Sequence, residues 1–147
     1  MIICALKTLP IKIATTYSDE STKLSIERGN KLITAYNYSV KGDISFNTGE
    51  YREAKSNYEK ALNLFQDINA KLAQAEALLN IAACSKEMNQ YDDIDRCLTD
   101  AINFANNKSN ILVGAYALKA KIALLNKDFI LAKKILENIE NIEAEKL

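Results

Sequence analysis

Histidine is absent from this sequence. That removes the commonest general base and leaves no imidazole to complete a zinc site. Proline occurs once, at Pro10, and glycine four times. A chain so poor in breakers favours helices over a turn-rich β fold. Charge of one sign is missing too, since 19 basic and 19 acidic residues cancel. A nucleic-acid binder normally carries a basic excess on one face, so no nucleic-acid partner is expected. No Gly-rich phosphate loop, nucleophile elbow or HExxH motif is present, so no catalytic residue, cofactor or metal ligand is assigned. The three cysteines, Cys4, Cys84 and Cys97, have no CxxC spacing. Cys84 and Cys97 fall within apolar helical patterns as small hydrophobes, and reduced thiols fit a cytoplasmic setting. Long apolar runs are lacking as well. Met1–Pro10 is mildly apolar but is a poor signal peptide and too short for a membrane span. It is expected to be an extended or short helical segment packed across the domain edge.

What the chain does contain is helical periodicity. The clearest stretch is Gly49-Glu50-Tyr51-Arg52-Glu53-Ala54-Lys55-Ser56-Asn57-Tyr58-Glu59-Lys60-Ala61-Leu62. A turn signal precedes Tyr51, Ala54, Tyr58, Ala61 and Leu62, which share one helical face. Large and small residues alternate along it, so a second helix can approach at each Ala and interlock with each Tyr.

Taken in order, Ser18-Asp19-Glu20-Ser21 signals a helix from about Asp19 towards Arg28. Gly29-Asn30 either breaks it or lets it run on to Asn47, since an internal Gly costs only about 1 kcal/mol. Leu32, Ile33, Tyr36, Val40 and Phe46 then set a helical phase ending at Asn47-Thr48-Gly49. A helix from Tyr51 to about Ile68 follows, with a turn at Asn69-Ala70. The next carries Leu72, Ala75, Leu78, Leu79, Ala82 and Ala83 inward and ends near Met88-Asn89-Gln90. Its partner is expected to start at Tyr91, with Asp92, Asp93 and Asp95 favouring the dipole of its first turn. After the polar stretch 106–110 come a helix from about Ile111 to Leu125 and a last one from Phe129 to about Ala144.

Internal repetition organises the whole. Thr48-Gly49-Glu50-Tyr51, Met88-Asn89-Gln90-Tyr91 and Asn126-Lys127-Asp128-Phe129 align, with the aromatics 40 and 38 residues apart. Ala54, Ile94 and Ala132 lie three residues beyond them. Tyr58, Leu98 and Leu136 lie seven beyond, and Ala61, Ala101 and Ile139 ten. Upstream, Gly42, Ala82 and Ala120 are small, while Tyr38, Leu78 and Tyr116 are large. Gly42, Gly49, Tyr51, Ala54, Tyr58 and Ala61 resemble the tetratricopeptide repeat, and the likeness extends in phase over about 30–144. Two departures stand out. The spacing exceeds the family's usual 34 residues, implying longer helices, and the closing Pro is replaced near Gln66 and Asn106. A single hairpin of this kind also looks like a MIT domain, which binds trafficking peptides.

The resemblance implies an all-α, right-handed array of antiparallel helical hairpins with about 6–7 helices. Residues 1–29 would form an N-terminal segment and capping helix, and hairpins would span about 30–69, 70–109 and 110–147 of a single domain. Gly42, Ala54, Tyr58, Ala61, Ala82, Leu98, Ala101, Ala132 and Leu136 are then scaffold. The family's groove is lined by the first helix of each hairpin. By that likeness it takes Tyr36, Ser39, Asp43, Phe46 and Asn47 from the first copy. The second supplies Glu76, Leu79, Ala83 and Lys86, and the third Ala117, Lys121 and Leu124. Ser39, Asp43 and Ala117 stand where a carboxylate clamp for chaperone tails would need basic or Asn residues, so a peptide or helix of modest charge is the expected partner. The reading is a non-catalytic interaction scaffold, with a peptide or small-ligand sensor as the alternative. Ile130 and Leu131 are expected to pack inward or to join a homodimer through the terminal helix.

Overall fold

The computed structural model describes the backbone of residues 2–145 and the side chains of residues 8–145. The side chains of the first seven residues, that of Cys4 among them, therefore lie outside the description. Within them the chain forms seven helices and no strand. They are α1 (Ile2–Glu27), α2 (Lys31–Asn47), α3 (Tyr51–Asp67), α4 (Lys71–Glu87), α5 (Ile94–Phe104), α6 (Ser109–Leu125) and α7 (Phe129–Ala144). Two compact units result, Met1–Ala70 and Lys71–Leu147.

One device ends α1, α2, α3, α4 and α6. At the close of α1 the N–H of Asn30 bonds the carbonyl of Ser25, and that of Gly29 bonds Ile26. The same pair of bonds joins Glu50 to Ser45 and Gly49 to Phe46. It recurs after α3, α4 and α6 through Asn69, Asn89 and Lys127. Each is a Schellman motif, which needs a left-handed residue just beyond the helix. Gly29 (φ 65°) and Gly49 (φ 83°) enter that region without a Cβ penalty, and Asn69, Asn89 and Lys127 also enter it. After α3 the motif stands in place of the closing Pro, whereas α5 ends through Asn106 and Asn107, both with positive φ (45° and 63°). The motif also settles the 19–48 stretch as two helices, because Gly29 turns the chain and Asn30 caps α2 by accepting from the N–H of Ile33.

Three expectations are corrected. α1 begins at Ile2, not near Asp19, and continues through Pro10, which lies on its exposed side. α5 begins at Ile94, not Tyr91, so Asp92 and Asp93 precede the helix and only Asp95 lies in its first turn. Leu136 is 46% exposed, while its neighbour Ile135 joins Ala120, Ala123 and Ala132 in the core beneath Tyr116. Only this position shifts by one residue, since Ala120 and Ala132 stay buried at their repeat places.

In the first unit α2 is held between α1 and α3. A Cβ on Gly42 would sit 2.5 Å from Cε1 of Tyr58, so the ring lies directly on the α2 backbone. Ala35, Ala54, Ala61 and Phe65 complete this seam. In the second unit Ile94 and Leu98 pack with Ala82 and Ala115, and Leu79, Cys97, Leu118 and Ile122 close over them. Cys84 is buried and Cys97 half-buried. Ile130 is 86% exposed and Leu131 46%, so neither packs inward.

Candidate functional site

The first helix of each hairpin has a face that its neighbours leave open. On α2, the buried residues are the small ones, Thr34, Ala35, Gly42 and Ser45. Close backbone packing uses up that side. The bulky residues of the helical phase, Leu32, Ile33, Tyr36 and Val40, therefore lie outside, each about half-exposed. Tyr36, Val40, Asp43 and Asn47 follow at spacings of four, three and four, which places them on one stripe. Its start is apolar and its end polar.

The α2 candidates differ in how they are held. Tyr36 stands edge-on to Phe65 with ring centroids 5.2 Å apart, and Phe46 does the same against Tyr51. Asp43 accepts a 2.6 Å hydrogen bond from the Tyr58 hydroxyl, which fixes its carboxylate at the edge of the face. Ser39 turns its hydroxyl back to the carbonyl of Ala35, 3.3 Å away, so it offers little to a visitor. Asn47 is exposed. Leu32, Ile33 and Val40 belong to this face although sequence reasoning gave them no site role. The signal for them was the row of small residues, which marks the side where helices touch and so sends the large ones outward.

In the second unit, α4 and α6 are both first helices. They come close where a Cβ on Gly114 would lie 2.9 Å from Cδ2 of Leu79. Glu76, Ala117, Lys121 and Leu124 are exposed, and Leu79 and Ala83 half-buried. Lys86 is hydrogen-bonded to Glu87, with Lys121 beside it. The Glu87 carboxylate raises the Lys86 pKa above the ordinary lysine value, against an opposing effect of burial. This face thus has a floor of small side chains and a cationic edge. No three His, Cys, Asp or Glu side chains among the described residues are grouped to hold a metal. No described helix is long and apolar enough to cross a membrane.

The twelve expected groove residues fall into two sets, Tyr36 to Asn47 on the first unit and Glu76 to Leu124 on the second. No curated protein and no solved structure matches the chain. A family model described as tetratricopeptide repeat matches residues 32–107, which run from the start of α2 to just past α5. That match covers more than half of the sequence. Together with helical hairpins of small-on-large seams, it establishes that the chain belongs to the tetratricopeptide repeat family.

Proposed function

We propose that this protein is a non-catalytic, cytoplasmic interaction module that holds a segment of a protein partner against the open face of α2 in the first unit, with the open face of α4 and α6 in the second unit as a separate surface. One observation carries the reading. On α2, Leu32, Ile33, Tyr36 and Val40 are kept half in water while small residues form the core. Apolar side chains contiguous on a helix face and bordered by Asp43 and Asn47 suit an interaction surface. The α4 and α6 face, with Ala83 and Ala117 between Glu76 and Lys121, lets a backbone come close beside a cationic edge. An extended or helical peptide of modest charge, with aliphatic or aromatic anchors, fits the α2 face.

The test is a selection from a displayed random-peptide library, followed by titration of the recovered peptide. Tyr36→Ala together with Val40→Asp is expected to weaken binding at least tenfold while the helical circular dichroism is kept, with the thermal transition lowered by loss of the Tyr36–Phe65 ring contact. Lys134→Ala, on an exposed α7 position, is the control. Equal affinity for all three proteins would overturn the reading. Should the alternative of a small-ligand sensor hold, the ligand would take the 540 Å³ cleft between α5, α6 and α7, lined by Tyr91, Tyr116, Lys119 and Ile135. Lys134, which borders it, would then be the sensitive position.

A further inference from the structure

The first unit holds a cleft of about 510 Å³, lined on α2 by Tyr38, Lys41, Ile44 and Ser45. Tyr38 is two residues, about 200° round the helix, from Tyr36, so the cleft lies behind the open face of α2. α1 and α3 form its walls. Each carries a buried triad at spacings of four and three, Ser18-Thr22-Ser25 on α1 and Ala54-Tyr58-Ala61 on α3, 36 residues later. Both therefore stand as second helices of the repeat, with α2 as the floor between them. The second unit repeats this arrangement around α6, in a cleft of about 540 Å³ between α5 and α7. Its frame recurs 78 residues on, as Tyr116, Lys119 and Ile122 for Tyr38, Lys41 and Ile44. An ion pair recurs too. Lys41 reaches Asp19 on α1 at 2.6 Å, and Lys119 reaches Asp95 on α5 at 2.9 Å.

The frame is shared and the lining is not. In the second cleft α7 contributes Leu131 and Ile135, and α6 contributes Ala123. The same places in the first cleft hold Glu53, Asn57 and Ser45. Ile135 is 6% exposed as part of a core cluster, so the repeat accepts an apolar residue there. Asn57 is as deeply buried, at 7%, and Ser45 at 8%. Neither the Asn57 carboxamide nor the Ser45 hydroxyl has a hydrogen-bond partner among the described residues. No fully enclosed polar atom among those residues lacks a partner, so both groups open onto the cleft they line. A buried carboxamide left unpaired is costly, and its two donors and one acceptor await a matching group.

The charges on either side of Asn57 say which group. Glu53, Asn57 and Lys60 follow at spacings of four and three, a single stripe along α3. Glu50 adds a second carboxylate at the Glu53 end, where it makes no capping bond. At the other end the Lys60 ammonium stands over the Tyr38 ring, 5.4 Å from its centroid. Glu50, Glu53 and Lys60 form no ion pair within the described residues, whereas Lys41 and Asp19 neutralise each other. The stripe therefore reads carboxylate, carboxamide, ammonium. Glu53 and Lys60 are two turns, about 10 Å, apart, which is the reach of about three extended residues.

We propose that this cleft binds a short zwitterionic peptide of about three residues. Its ammonium lies by Glu50 and Glu53 and its carboxylate by Lys60, so it runs in the same direction as α3. The middle residue, extended, turns its N–H and C=O to one side and pairs twice with Asn57. The N–H donates to Oδ1 and the C=O accepts from Nδ2, while the Ser45 hydroxyl bonds a flanking peptide group. A purely anionic ligand would leave two carboxylates unmet, and an apolar one would leave Asn57 unpaired.

Titration of the isotope-labelled protein with trialanine, read by NMR, tests this. The Asn57 side-chain amide signal is expected to shift saturably while the signals of α7 stay in place. Asn57→Ile, which copies Ile135, abolishes binding as read from the backbone amides of Ser45 and Lys60. Its thermal transition is kept or raised, so the loss is not unfolding. Lys60→Glu, at an exposed position, weakens binding about tenfold, and so does capping the peptide with acetyl and amide groups. Val40→Asp, on the opposite side of α2, leaves the titration unchanged, which separates this cleft from the partner face. Absence of a saturable shift would overturn the proposal, as would undiminished binding by Asn57→Ile. Equal binding of the capped peptide would overturn it too, leaving the cleft to an internal segment of a longer chain.

Discussion

α1 and α3 hold the same place in the repeat on opposite sides of α2, and they fill it with opposite chemistry. α3 presents Ala54, Tyr58 and Ala61, so a ring rests on Gly42 and apolar area leaves water. α1 presents Ser18, Thr22 and Ser25, whose hydroxyls must be bonded once buried. They are. Thr22 donates to the carbonyl of Ser18 at 2.6 Å, and Ser25 donates to that of Thr22 at 2.9 Å. Across the seam Thr34 donates to Ser25 Oγ at 2.9 Å, and Asn37 Nδ2 donates to Ser21 Oγ at 2.9 Å. No fully enclosed side-chain polar atom among the described residues is left without a partner. Such a seam fixes the register of α1 but adds little net stability, since each bond replaces one to water and contributes only about 1 kcal/mol. A repeat position thus dictates size and burial, not polarity.

Three substitutions probe this contrast, and equilibrium denaturation measures each. Tyr58→Ala should cost most, about 3–5 kcal/mol, because it empties the α2–α3 seam and removes the donor to Asp43. Next comes Gly42→Ala. Its Cβ would meet the Tyr58 ring at 2.5 Å, and the expected overpacking of about 1–3 kcal/mol exceeds the gain of up to about 1 kcal/mol in helix propensity. The contrast would break if Gly42→Ala proved stabilising. Smallest is Ser25→Ala in the hydroxyl seam, at about 1 kcal/mol. Its larger effect should be local, as faster hydrogen exchange of the α1 amides while those of α3 keep their protection. Uniform acceleration across both helices would show that α1 and α3 open together, against the comparison.

The legible part of this protein was whatever one chain segment settles by itself. The later turns and the 40-residue spacing follow from periodicity plus Gly49, Asn69 and Asn89, all local matters of backbone conformation, whereas the turn at Gly29 was left open and the starts of α1 and α5 were misplaced. The small-on-large seam of Gly42 with Tyr58 was readable for the same reason, because both sides of it repeat. The face of α2 was readable only in part. Its apolar phase suggested a core, and whether Leu32, Ile33 and Val40 face water depends on which neighbour takes the small side. The polar seam of α1 was least visible, since Ser18, Thr22 and Ser25 look like an ordinary solvated face until α2 is laid over them.

Sequence alone therefore determined an all-helical repeat of tetratricopeptide type, because hydrogen bonding within each helix and the turn residues are local. Only tertiary structure decided which side of each helix meets water. Burial is a property of neighbours, and the same spacing of four and three serves a ring on glycine in α3 and bonded hydroxyls in α1.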